Sequence, residues 1–235
     1  MSARENILAR IRQQSGRSGI TTEAELQSVR DHITKKTRGP LPSIAHEEPI
    51  KRFIRACEQL KSSVEEVPSL RDAPLALARY LEQNRLEKRV VGWPSLFGAA
   101  PVSANAMVGD AVGAAAELDW AAAGIAYAAR IANADDLVGV TGCFCAIGET
   151  GSLLLLSSST TPKLNALLPE THICILSKAR IVATMEDAFA LLRAEVGALP
   201  RSTFIVSGPS RTADIEQTIV IGAHGPYRVH IILTP

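Results

Sequence analysis

The sequence is poor in aromatic residues: five Phe, three Tyr and two Trp make up 4 % of 235 residues. Apolar residues still reach 46 %, so a full core is available, but it must be built from Ala, Leu, Ile and Val. Charge of one sign is also missing. The 25 Lys and Arg against 24 Asp and Glu leave a formal net charge of +1. No global field therefore draws the chain to nucleic acid or to an acidic membrane. Local basic residues such as Lys35-Lys36 and Lys61 read as solvated helix faces. No apolar run reaches the roughly 18–20 residues of a membrane span. The richest stretch, Ala121 to Ala132, is short and contains Arg130. The start, Met1-Ser2-Ala3-Arg4-Glu5, is polar and lacks the apolar centre of a secretory signal. The expectation is a soluble, cytoplasmic protein.

Cysteine is scarce as well. Cys57, Cys143, Cys145 and Cys174 do not form a secreted disulfide framework. Cys143-Phe144-Cys145 is spaced i, i+2, which is neither the CxxC of zinc sites nor the repeated CxxC of iron–sulfur clusters. On an extended segment the two thiols point to opposite faces, and they read as buried apolar residues. There is no GxGxxG and no GxxxxGK[ST], so no nucleotide-binding loop is signalled. No HxxxH pair, His-Cys cluster or carboxylate triad suggests a metal site.

The chain is long enough for one large α/β domain with a small extension. Ile7, Leu8 and Ile11 mark one face of a first helix. Thr22 and Glu25 signal the start of a second, through Leu26, Val29 and Ile33, which Gly39-Pro40 ends. This pair, within residues 1–45, is expected to be an N-terminal helical extension that packs on the main domain or on a second subunit. Residues 46–235 should form the α/β domain. Helices are expected over about 48–62 and 71–84, with Pro74 in the first turn of the latter. Strands follow at Val64–Val67 and Arg89–Pro94. Residues 101–112 read as loop, and the Ala-rich stretch 114–134 is compatible with helix or strand. Apolar strands are expected at 136–142, 148–156, 171–177, 203–207 and 228–233, with a short helix from 160 and another from Thr184 to about Gly197. Unbroken apolar strands separated by helices predict a mainly parallel sheet with helices on both faces.

Two segments carry the candidate chemistry. In the first, Gly148-Glu149-Thr150-Gly151-Ser152 turns into the strand Leu153–Leu156. Glu149 there could act as nucleophile, base or ligand anchor. It could equally accept N–H bonds from the turn or pair with Arg211. In the second, a strand ending at Ser207 meets Gly208-Pro209-Ser210-Arg211-Thr212-Ala213-Asp214. A helix starting near Ser210–Ala213 would aim free N–H groups at an anion. Gly208, Ser210, Arg211, Thr212 and Asp214 are the candidate binding residues, with Arg211 supplying a fork for carboxylate or phosphate. The alternative is a self-contained cap in which Asp214 neutralises the helix start. His224, in Gly222-Ala223-His224-Gly225-Pro226, could serve as an acid or base, or as a hydrogen-bonding loop residue. His172 and His230 read as structural.

Glu149-Thr150-Gly151-Ser152-Leu153, Leu164 to Pro169, Gly208 to Glu216 and His224-Gly225-Pro226 together resemble the lactate-utilisation protein C family, the LUD domain. The resemblance covers roughly residues 45–235 and is densest from 136 onward. It implies a fold of the ribose-isomerase/glucosamine-deaminase/CoA-transferase type. It also implies a part in oxidising L-lactate to pyruvate with iron–sulfur partner subunits, the clusters lying in the partners and no cofactor in this chain. A small carboxylate is then the expected ligand. Other readings of the same residues are a stand-alone CoA-transferase-like or sugar-phosphate-binding enzyme, and an organising partner without chemistry.

Overall fold

The computed structural model describes residues 2–16, 22–41, 48–94, 96, 118–212 and 220–235. Two compact units emerge, Met1–Pro40 and Leu41–Pro235. The first holds α1 (Ala3–Gln14) and α2 (Glu23–Lys35). Each opens with a capping box, Ser2 with Glu5 and Thr22 with Glu25, so side chains satisfy amide donors that the first turn leaves open. Neither helix buries a residue.

The second unit is built on a six-stranded sheet in the order β1-β12-β7-β4-β2-β3. Its strands are β1 (Ser63–Glu66), β2 (Arg89–Gly92), β3 (Ala126–Ala129), β4 (Val138–Thr141), β7 (Thr171–Ser177) and β12 (Arg228–Thr234). Every pairing in it is parallel. β7 and β12 are neighbouring interior strands, and their continuous apolar runs follow from burial on both faces. Alternate residues point to opposite sides. Ile173, Ile175 and Ile232 join Leu77 and Leu81 of α4 (Ala73–Gln83). Cys174, Leu176, Ile231 and Leu233 join Phe53 and Cys57 of α3 (Pro49–Gln59). Helices thus cover both faces, as the sequence predicts.

The second face carries more than a helix. A smaller sheet in the order β8-β5-β6-β9 packs there through Leu153 and Leu155. It comprises β5 (Cys145–Ile147), β6 (Ser152–Leu156), β8 (Ile181–Val182) and β9 (Thr203–Val206), with β5 and β9 antiparallel to β6. Its far side, with Cys145, Ile147 and Leu154, is covered by Ala188 of α6 (Met185–Glu195). The run 203–207 therefore departs from expectation. It is not a buried strand of the parallel sheet but the edge of the smaller one, with Ile205 exposed. Cys143 and Cys145 fall in different core clusters, as alternation requires. The short helix after 160 is α5 (Leu164–Leu167). The ambiguous Ala-rich stretch contains a turn at 120–124 and strand β3. The loop assigned to 101–112 lies outside the described residues.

Candidate functional site

The first motif is a seat for α3. Gly151 has φ +63°, and a Cβ placed there would lie 2.8 Å from the Ala56 carbonyl carbon and the Cys57 nitrogen. Only glycine allows the turn to come that close. The Gly151 carbonyl accepts from the Cys57 thiol at 3.5 Å. One turn of helix earlier, Arg52 donates to the Glu149 carbonyl at 3.3 Å. The Glu149 carboxylate accepts from the Met185 amide at 3.3 Å, at the first turn of α6. Of the roles open to Glu149 in the sequence, the acceptor of backbone N–H is the one occupied here. Thr150, Ser152 and Ser207 form a hydroxyl chain at 2.7 and 2.6 Å that ties this motif to the second.

The second motif sits on the far end of the same helix. Gly208 has φ +77°, and a Cβ there would meet Leu60 at 2.9 Å. Arg211 donates to the Leu60 carbonyl at 2.6 Å. The expected helix start is corrected by the structure. Arg211–Thr212 is a short strand, β10, antiparallel to β11 (Val220–Ile221). In an extended strand successive amides point to opposite sides and do not converge as at a helix start, so the helix-dipole argument for an anion does not apply to them. Asp214 lies outside the described residues. The Ser210 amide donates to the Pro226 carbonyl, and the Gly222 amide to the Ser210 carbonyl, both at 2.9 Å. These bonds bring the Gly208–Thr212 turn and the Gly222–Pro226 turn together. His224 is exposed on the latter. Glu149 and Arg211 have separate partners at Arg52 and Leu60, about 12 Å apart along the helix rise.

Immediately beside the second motif lies a cleft of about 600 Å³. It opens at the start of β1 and β12, under the last turn of α4. Lys61, Ser63, Tyr80 and Arg228 line it, with His230 as its inner wall. Ser63 and His230 are directly opposite each other in the β1–β12 register. Their side chains meet at 2.8 Å through Oγ and Nδ1. The Tyr80 ring stacks on the imidazole at 4.0 Å and 15°. Burial pushes the His230 pKa down to about 4, against the opposing pull of Glu65 and Ser63. The ring is therefore neutral near pH 7. Burial likewise raises the Tyr80 hydroxyl, while Arg228 and Ser63 act the other way.

Sequence reading passed over these residues, taking Lys61 for a solvated face and His230 for a structural one. The available signal was the spacing of Arg228 and His230, an i, i+2 pair that shares a face of β12; Lys61, in the turn before β1, carries none. Among the described residues no group of three or more His, Cys, Asp or Glu side chains could hold a metal ion. The four cysteines are free and buried. No described helix is long and apolar enough to cross a membrane.

These features have relatives. A lactate utilization protein C of Bacillus licheniformis is 35 % identical over 119 residues, 49 % of each chain. One of Bacillus subtilis is 35 % identical over 99 residues, 41 % of each chain. An uncharacterized protein of Neisseria meningitidis is 36 % identical over 88 residues, 37 % of this chain and 38 % of its own. The chain thus matches about half or less of the length of these curated relatives. A DUF162 family protein of Deinococcus radiodurans, solved by crystallography, aligns over 83 % of this chain and 99 % of its own. Its TM-score of 0.52 at 21 % identity is a likeness of fold. The LUD domain profile matches residues 50–234, taking in both glycine-rich motifs, the helix they grip and the cleft beside them, and the chain belongs to the LUD domain family.

Proposed function

We propose that this protein is a cytoplasmic subunit of a lactate-utilisation system that oxidises L-lactate to pyruvate. It works with partner proteins that carry the iron–sulfur clusters, and it binds a small carboxylate. The observation that carries this reading is its similarity to several proteins named lactate utilization protein C. The composition of the chain fits such a division of labour. Its four cysteines are buried and lack the CxxC spacing of a cluster site, which suits a subunit whose partners carry the clusters. The carboxylate is received where the Gly208–Thr212 and Gly222–Pro226 turns meet, beside the exposed guanidinium of Arg211. Ser210 and Thr212 supply hydroxyls there, and His224 is within the second turn. Glu149, engaged with the α6 amide, acts as a structural acceptor rather than a nucleophile.

The test is affinity isolation of the tagged protein from lactate-grown native cells. Co-purification of iron–sulfur proteins with lactate-oxidising activity is expected, and deletion of the gene should abolish growth on lactate. Recovery of the protein alone, with lactate growth intact, would remove the reading.

A further inference from the structure

We propose that the cleft at the start of β1 and β12 is a further oxyanion-binding site of this protein, beside the Arg211 turn, with Lys61 and Arg228 holding a carboxylate or phosphate group of a small polar metabolite. The proposal rests on the preceding reading only for the expectation that the ligand is a small acid. The location follows from the cleft itself.

The charges come first. Lys61 and Arg228 both line the cleft, and neither has a carboxylate partner among the described residues. The one acid in the lining, Glu65, is already paired with Arg79 on α4. The cleft therefore holds two cations with nothing to neutralise them. Arg228 is further prepared for a ligand, because its guanidinium lies over the Tyr227 ring at 4.8 Å. Such stacking fixes the plane of the fork and lowers the entropy lost on binding.

A second observation is independent of charge. His230 is 3 % exposed, and its Nε2 is buried without a hydrogen-bond partner. An unpaired buried polar atom costs roughly 1–3 kcal/mol. In a protein interior such an atom calls for an explanation. Here it belongs to a ring whose other nitrogen bonds Ser63, on which Tyr80 stacks, at the wall of the cleft. Ser63 and Tyr80 provide neutral hydroxyls, and Gln83 and Asn84 provide amides, for the uncharged part of a ligand. A volume of about 600 Å³ falls within the usual range for metabolite sites. It exceeds what a three-carbon acid fills, so a longer polar body is accommodated.

The glycine motifs explain how the cations are placed. Gly208 presses on Leu60, and Arg211 holds the Leu60 carbonyl; Lys61 is the next residue and has φ +69°. Gly222, at φ +82°, packs on Tyr227, next to Arg228. The Gly208 and Gly222 turns thus clamp the two residues that immediately precede the two cations. In this arrangement Arg211 also positions Lys61, through the Leu60 carbonyl.

The experiment uses the purified full chain and isothermal titration with four probes: L-lactate, pyruvate, ribose 5-phosphate and acetyl-CoA. At least one is expected to bind. Arg228→Gln removes one cation. Lys61→Asn removes the other and keeps a residue that tolerates the left-handed conformation. Each should weaken binding about tenfold or more, as loss of a charged hydrogen bond requires. Arg89→Gln, outside the cleft, should change it less than about twofold. Binding of the first two probes alone assigns a carboxylate, and of the last two alone a phosphate; either result supports the site. Absence of binding by all four overturns it. So does binding that survives the double variant Lys61→Asn/Arg228→Gln, or that is lost only with Arg211→Ala. The subunit reading stands or falls separately, on the partners recovered from cells.

Discussion

His172 makes the fold sensitive to acid in a way that can be worked out in advance. It lies on β7 in the middle of the parallel sheet, fully buried. Its Nε2 meets the Thr141 hydroxyl at 2.8 Å, and its Nδ1 has no partner. Burial pushes its pKa from the ordinary 6.5 to about 4. The folded protein thus resists a proton that the unfolded chain takes up readily. As pH falls through 6.5 the unfolded state is protonated first, so stability declines from there to about 4 and is level below. The full difference is about 3 kcal/mol, of which about 2 kcal/mol is already lost at pH 5. His230, also held near 4 by burial, contributes a second term of similar size. Urea unfolding followed by the buried Trp93 and Trp120 at pH 7.5 and pH 5.0 measures the sum. The wild-type protein should lose about 4 kcal/mol between the two. His172→Gln keeps a partner for Thr141 but cannot titrate, so its loss should be about half as large. Equal losses in the two proteins would show that His172 is not what opposes protonation.

Two further outcomes follow from packing. Gly151→Ala places a methyl group against the Ala56–Cys57 backbone at a positive φ. It should destabilise the larger unit by about 2–4 kcal/mol, and a thermal midpoint lowered by less than about 3 °C would contradict the close seating of α3. Burial pushes the Cys57 and Cys145 thiols up to about 12, and raises Cys143 through its contact with Cys174 and through desolvation. All four cysteines should therefore resist a thiol reagent at pH 8 in the native protein and react in denaturant. Rapid labelling of the native chain would show that the core opens.

How much of this was legible in the sequence depended on whether the determinant was local. Thr171–Ser177 and Arg228–Thr234 announce themselves because strands covered on both faces need apolar residues at every position. The helix from Thr184 was equally plain, since its capping box lies within four residues. Thr203–Val206 has the same apolar run as a central strand yet sits at an edge. Local pattern cannot separate the two, because what differs is the number of neighbours. The segment after Ser210 misled for a related reason. Small, hydroxylated and acidic residues suit a helix start, but the bonds from Ser210 to Pro226 and from Gly222 to Ser210 close a distant turn and pull Arg211 into a ladder.

The site illustrates the same division. Glycines at 148, 151, 208 and 222 stand out as the marks of a special function, and the chemistry was sought among their immediate neighbours. In the structure each is a point of close approach: three to the α3 region, at Pro49, Ala56–Cys57 and Leu60, and one to Tyr227. Their residue type is dictated by the space left for a Cβ, which is a packing demand. For Gly208 and Gly222, what that packing fixes is one residue further on, at Lys61 and Arg228. Lys61 lies in the turn just before β1 and Arg228 opens β12, and the pairing of those strands joins Ser63 to His230 across 167 residues. A sequence motif can therefore be highly specific and still point beside the ligand, because the glycines record where the backbone must come close. The charges they position need only be cationic, so they leave no such signature.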